Sequence, residues 1–297
     1  MIKNFFFICL LLGVSFNGFA GNLKMATYSG KLMPQPNSAI LSTDKETLVI
    51  DAQFLRPDAQ ALLAQIEAIG NPLTNILITH EHPDHVWGAV ELLKKYPQAK
   101  VYARQTIIDE INLYFRARLL RWTEDVPELI PTSLFQMHAL EGGSFNFDGH
   151  KIEIIDLKPA EMIHSTGYYV PELKTYIAGD QIFYQYHAYI AAGLNYPEVW
   201  IDSIDHVRNN YDIDVVIPGH GPVDEGDVVF DSAVAYLKEY ANVYKPLLKQ
   251  SAIAKHMMEK FPDYGLKEVL FMTVGPAVTA PDLIEMLEGN LGFSKEH

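Results

Sequence analysis

Cysteine is almost missing: the 297-residue chain has one, Cys9, so no disulfide within it can brace the fold. Basic residues are also scarce, with 23 Lys and Arg against 37 Asp and Glu and a formal charge of −14. Such a field repels phosphate backbones and anionic membrane surfaces. Nucleic acid is therefore excluded as an expected partner, and a small-molecule substrate is left. Internal repeats and low-complexity linkers are lacking as well, so residues 21–297 read as a single domain with a helical extension from about residue 228. With 48% hydrophobic residues there is ample material for a core.

The first residues read differently from the rest. Lys3 precedes the apolar run Phe5 to Val14, and Gly18-Phe19-Ala20 places small residues where a signal peptidase inspects the chain. Ten apolar residues fall short of the about 20 that span a membrane. Residues 1–20 are thus expected to be a signal peptide, cleaved to give a periplasmic or secreted protein with no stable membrane insertion. Cys9 would leave with it, and the loss of Lys3 takes the charge to −15. Phe7 and Ile8 before Cys9 are too large for a lipoprotein cleavage site.

What is present in abundance is histidine and carboxylate in one place. The apolar run Ile76-Leu77-Ile78 leads into Thr79-His80-Glu81-His82-Pro83-Asp84-His85. Buried separately, these polar side chains would each need a partner; a divalent cation satisfies several at once, imidazole and carboxylate both suiting zinc. His80 and His82, two apart, share one side of an extended backbone. Asp84 and His85 are adjacent and diverge unless the chain turns there, so one loop can feed two neighbouring metal positions.

This H-x-H-x-D-H pattern after a hydrophobic strand resembles the signature of the metallo-β-lactamase-fold hydrolases, in particular their glyoxalase II and lactonase-like branch. The resemblance implies an α/β fold, a four-layer αβ/βα sandwich with the metal site at the edge between the two sheets. It also implies further ligands downstream. His164, in Met162-Ile163-His164-Ser165-Thr166-Gly167, corresponds to the third ligand of the first metal, although Ile163 stands where the family has glycine. Asp180 of Gly179-Asp180 corresponds to the bridging aspartate, and His220 of Pro218-Gly219-His220-Gly221 to the last ligand. The implied cofactor is two zinc ions per chain: His80, His82 and His164 on one, Asp84, His85 and His220 on the other, Asp180 linking both. A hydroxide shared by the metals would attack an ester, thioester or lactone carbonyl, with Asp84 orienting it as a catalytic residue. A B3-like β-lactamase is the nearer alternative, disfavoured by Asp180 where the lactamases carry cysteine or serine. A persulfide dioxygenase with one iron is the other.

The remaining pattern supplies expected elements. Residues 39–42 and 47–51 pair as a hairpin, residues 57–69 form a helix stopped by Gly70, and a further helix spans 86–96. A strand at 101–103 precedes a helix over 105–120, after which residues 116–138 mix arginine, aromatics and proline and read either as a substrate lid or as a surface connector. Asp148-Gly149 turns a hairpin, a strand ends at His164, and 168–170 pairs with 175–178. Helices are expected at 197–210, within 228–261 and at 281–291, and a strand at 213–217. Aromatics after Asp180 make Tyr184, Tyr186 and His187 candidate substrate contacts. Trp122 and Phe271 are further pocket candidates, and the apolar stretch 264–279 is a cover for the site or a partner surface.

Overall fold

The computed structural model describes residues 22–190, 197–244 and 250–270. Alternation with period two sorts the strand residues into two faces. In β1 (Lys24–Ser29), β2 (Asn37–Ser42), β3 (Thr47–Ile50), β4 (Leu73–Leu77), β5 (Lys100–Ala103) and β6 (Met137–Ala139), neighbours in that order build a six-stranded sheet, antiparallel as far as β3 and parallel beyond. Ile40, Val49, Ile76 and Val101 face helices α1 (Arg56–Ile69), α3 (Ala89–Lys95) and α4 (Gln105–Asp125). Ala39, Leu41, Leu48, Ile50 and Leu77 face the other way.

The second sheet mirrors this arrangement. Its order is β12-β11-β10-β9-β8-β7, from β7 (Ser144–Phe147), β8 (His150–Asp156), β9 (Thr166–Val170), β10 (Thr175–Phe183), β11 (Val215–His220) and β12 (Asp224–Glu225). Ile152, Ile154, Tyr168, Val170, Ile177 and Ile217 join the inward residues of the first sheet in one core. Ile155, Tyr169, Tyr176 and Val216 pack outward beneath α5 (Pro197–Asn210), α6 (Gly226–Val243) and α7 (Gln250–Lys260). Helix, sheet, sheet and helix thus stack as four layers, the expected α/β sandwich.

Several local expectations hold for stated reasons. Gly70 ends α1 at φ 88°, and Asp148 (φ 46°) and Gly149 (φ 92°) form a two-residue turn with both φ positive. Others need correction. The helix expected over 86–96 is two pieces, α2 (Pro83–Val86) and α3, with Gly88 between them. Helix α4 continues to Asp125, and Trp122, Val126, Leu129, Phe135 and Met137 pack on the first core, so most of 116–138 is connector. No strand ends at His164: β8 stops at Asp156, and β9 begins at Thr166, whose N–H donates to the Thr79 carbonyl at 2.8 Å. Helices α6 and α7 cover the second sheet as one of its layers, and Leu266, Val269 and Leu270 are buried, Leu270 in the same core. The helix expected at 281–291, Phe271 and residues 271–279 lie outside the described residues. Among those described, no helix is long and apolar enough to cross a membrane.

Candidate metal centre

Strand β4 ends at Leu77 and delivers the histidine loop to one rim of the sandwich, where β10 and β11 of the second sheet also end. His82 is extended (φ −64°, ψ 140°), and Pro83 then opens one helical turn, its fixed φ suiting a first helical position. That turn resolves the divergence of Asp84 and His85 by bringing both to one cluster.

Two groups of donors result. His80, His82, Glu161 and Asp180 form the first, and Asp84, His85 and His220 the second, the donor atoms of each lying within 4.8 Å of one another. Asp180 faces both. Its Oδ2 lies 3.5 Å from His80 Nε2 and 3.9 Å from His82 Nδ1, while its Oδ1 lies 3.1 Å from His85 Nε2 and 3.3 Å from His220 Nε2. Asp84 Oδ2 is 3.3 Å from His85 Nε2 and 3.4 Å from His220 Nε2. Donors at about 2.0–2.1 Å from a tetrahedral cation are about 3.3 Å apart, so these spacings fit two cations better than direct hydrogen bonds. Burial agrees: His80 Nε2, His85 Nε2, Asp180 Oδ1 and both Glu161 carboxylate oxygens are buried without a hydrogen-bond partner. Leaving such groups unpaired is costly, and a cation removes the cost.

His164 is the correction. It stands in the loop 157–165 with its side chain 48% exposed, its Nδ1 2.6 Å from Glu110 Oε1 of α4. The position expected for it is taken by Glu161, whose Oε1 lies 3.5 Å from His82 Nδ1. Buried Ala160 and a turn from Ala160 N–H to the Met162 carbonyl (3.0 Å) direct Glu161 inward and leave Ile163 and His164 outside. Sequence reasoning passed over Glu161; its one signal was an acidic residue between Ala160 and Met162 in an otherwise apolar stretch.

Asp51 was also passed over. It follows β3 at φ 62°, a conformation that a non-glycine residue holds only at a cost. Its Oδ2 accepts from His85 Nδ1 at 2.7 Å and from Thr79 Oγ1 at 2.8 Å, and its Oδ1 accepts from the Thr79 N–H at 2.9 Å. Thr79 Oγ1 in turn lies 2.8 Å from His80 Nδ1. One carboxylate therefore fixes the ring orientation of two histidines and turns their Nε2 lone pairs to the centre. His220 Nδ1 is held at 2.9 Å by the Pro34 carbonyl, and its ring stacks on Phe183 at 4.9 Å. A Cβ on Gly219 would stand 2.1 Å from Asp180 Oδ1, so only glycine admits that approach.

Within the centre the carboxylates and imidazoles shift one another's protonation. Burial pushes the Glu161 carboxyl up, and the neighbouring Asp180 and Glu81 push it further, well above the usual carboxylate range. Asp180 is moved the other way: burial opposes ionisation, but His220, His85 and His80 together hold it well below. Burial lowers His220 while Asp180 and Asp84 outweigh it, raising its pKa to about 9.

The three candidate substrate contacts have other duties. Tyr184 is buried, its hydroxyl donating to Asp224 Oδ2 at 3.0 Å, and His187 is buried with its Nδ1 3.1 Å from the Tyr236 hydroxyl. Tyr186 donates to Gln35 Oε1 at 2.6 Å, bracing the loop that offers the Pro34 carbonyl to His220. Their side chains turn from the centre because β10 runs on past Asp180 to Phe183, carrying them beyond it. Besides Phe183 on His220, Tyr189 also reaches the donors, its ring 6.0 Å from that of His82.

Known proteins are similar to this chain in sequence and in fold. A hydroxyacylglutathione hydrolase of Synechococcus sp. (strain JA-3-3Ab) is 28% identical over 150 residues, 50% of each chain. The chain spans half or less of the length of the curated relatives it matches. A metallo-beta-lactamase family protein of Thermus thermophilus superposes with a TM-score of 0.61 at 15% identity, covering 93% of this chain and 96% of that one. A variant of the sec-alkyl sulfatase PisA1 superposes at 0.59 and 17% identity, covering 87% of this chain and 48% of the other. The metallo-beta-lactamase superfamily model matches residues 34–220, and the chain belongs to that superfamily.

Proposed function

We propose that this protein is an exported hydrolase with two zinc ions that cleaves an ester, thioester or lactone bond in a small molecule. The observation that carries the reading is Asp180, one oxygen turned to each of two donor groups. His80, His82 and Glu161 would hold one cation, Asp84, His85 and His220 the other, with Asp180 between. Four imidazoles and three carboxylates are a donor set that suits zinc. Two such cations supply Lewis acidity, lowering the pKa of water toward neutrality and polarising a carbonyl oxygen.

The chain's own residues set the rest. His82 and Asp84 are the most accessible ligands, with side chains 10% and 13% exposed, whereas His80 and His85 are fully enclosed. Substrate therefore enters over His82 and Asp84, and the Asp84 carboxylate is placed to accept a hydrogen bond from attacking water. Tyr189 closes one wall of the entrance against His82. The hydroxyacylglutathione hydrolase relative favours thioesters within the proposed class. Export rests on residues 1–20, with a mature chain beginning at Gly21, which N-terminal sequencing of the protein recovered from cells would read directly.

The test is metal quantification on the mature chain and on His82→Ala, followed by a panel of thioesters, esters, lactones, β-lactams and sulfate esters with oxygen consumption monitored. About two zincs per wild-type chain, turnover of a carbonyl substrate, and loss of both in His82→Ala are the expected results. One iron with oxygen uptake would replace the reading by a dioxygenase. Turnover of β-lactams or sulfate esters alone would replace the substrate class.

A further inference from the structure

Helix α4 buries Ile107, Ile111 and, one to three turns further on, Phe115 and Trp122 against the first core. Arg118 falls on the same stripe, four residues before Trp122 and seven after Ile111, where a helix facing a core normally carries an apolar side chain. The exception coincides with the metal loop. Arg118 donates through one terminal nitrogen to Glu81 Oε1, the residue between His80 and His82, and its guanidinium lies over the Tyr114 ring at 5.9 Å from the centroid. Glu81 is 2% exposed; the Arg118 side chain keeps 28%. The pair is therefore enclosed at the carboxylate end and open at the cationic end.

A purely structural role explains only half of this. Arg118 does neutralise Glu81, but a buried carboxylate and arginine at a core-stripe position are together no more stable than an apolar pair of similar volume. What the pair does secure is location. Glu81 holds a planar group with five N–H donors beside the accessible ligand, for the same Oε1 that takes the Arg118 bond lies 3.8 Å from Nε2 of His82, whose side chain is 10% exposed. Guanidinium is the side chain best matched to a carboxylate fork, and a fixed one loses little freedom on binding it.

We propose that Arg118 is a specificity-determining residue that binds a carboxylate carried by the substrate, away from the bond that is broken. The proposal rests on the hydrolytic reading above and deepens it by naming the substrate class, an acidic acyl or leaving group. Glu81 is the positioning residue that keeps the guanidinium at the mouth.

The experiment compares the metal-loaded wild type with Arg118→Met and Arg118→Lys on two p-nitrophenyl esters of matched length, glutaryl (anionic) and valeryl (neutral). The wild type is expected to favour the glutaryl ester, and Arg118→Met to lose about 10- to 100-fold in kcat/KM for it, chiefly through KM. Because Arg118→Met leaves the Glu81 carboxylate buried and unpaired between His80 and His82, turnover of the valeryl ester and metal content are measured alongside, and it is the ratio of glutaryl to valeryl turnover that is expected to fall about 10- to 100-fold. Arg118→Lys, which keeps the charge and loses the fork, is expected to fall between. Calorimetric binding of glutarate against glutaramide separates the two ideas: if neither ester is turned over, a glutarate affinity weakened about tenfold in Arg118→Met, with glutaramide unchanged, upholds the anion site while the hydrolytic reading falls. Equal losses on both esters in both variants, or an unchanged preference for the glutaryl ester in Arg118→Met, would overturn the proposal.

Discussion

The two sheets contribute to the metal centre in opposite ways. The first gives four donors, His80, His82, Asp84 and His85, from six consecutive residues at the end of one strand. The second gives three, Glu161, Asp180 and His220, from a loop and two strands spread over 60 residues. A contiguous loop fixes its donors by local geometry alone, an extended pair and then a proline-started turn. Dispersed donors meet only because the sheet's register brings them together, so each depends on packing far from itself. The first half of the centre is thus fixed locally, whereas each donor of the second depends on which side chain its loop or strand turns inward, as Glu161 beside His82 and His164 on the outside show.

The difference can be broken most forcefully at the residue shared by both donor groups. Asp180→Asn is expected to reduce bound zinc from two to one or fewer and kcat/KM by about 10³-fold or more, since bound metal supplies several kcal/mol of transition-state stabilisation. Elemental analysis alongside steady-state kinetics checks it; two retained zincs would deny Asp180 its bridging place. Next in size is the direct contest between Glu161 and His164. Glu161→Gln is expected to weaken one zinc and to lower kcat/KM by about 10²-fold, whereas His164→Gln, which breaks only an exposed pair with Glu110, should change either by less than about threefold. The reverse ranking would restore His164 as the ligand. Smaller again is Asp51→Asn, which keeps the shape but weakens the acceptor for His85 and Thr79; about 10- to 100-fold lower zinc affinity is expected by competition with a chelator.

These contrasts explain what could be read beforehand. The layered α/β fold was legible through the resemblance carried by His80, His82, Asp84 and His85 and not through strand alternation, since Leu48-Val49-Ile50 and Tyr168-Tyr169-Val170 are apolar on both faces, each being covered from both sides. Asp180 and His220 were legible through the Gly179-Asp180 and Pro218-Gly219-His220-Gly221 motifs of the resemblance, and the structure adds a reason for Gly219 in its approach to Asp180. Glu161 was not, because its one signal, an acidic residue in an apolar stretch, does not say that it and not His164 turns inward; that is decided by Ala160 packing beneath the helices of the second sheet. Asp51 was hidden for a related reason. Its role needs a positive φ and a partner 28 residues away, neither of which leaves a local mark. Tyr184 and His187 are near Asp180 in sequence and not in space, because β10 carries the chain past it and they bond Asp224 and Tyr236 instead.

The smallest effect lies in that same aromatic region, where histidine serves as core and not as ligand. Burial lowers the pKa of His187 from 6.5 to about 4, with the Lys267 charge adding to it. The unfolded chain therefore binds this proton more readily than the folded one between those two values. Its stabilising effect is complete above pH 6.5 and is lost progressively as pH falls toward 4. Allowing for screening by solvent, the loss between pH 7 and pH 5 is on the order of 1–2 kcal/mol. His187→Phe keeps an aromatic ring beside Tyr236 and Tyr264, 5.8 and 5.7 Å away by centroid, but cannot take up the proton. Denaturant unfolding of zinc-loaded wild type and variant at both pH values should give the variant a shallower decline by about that amount. Parallel declines would mean that His187 takes up its proton as readily in the folded core as in the unfolded chain, so that burial does not lower its pKa and the surrounding tyrosines accommodate the charge.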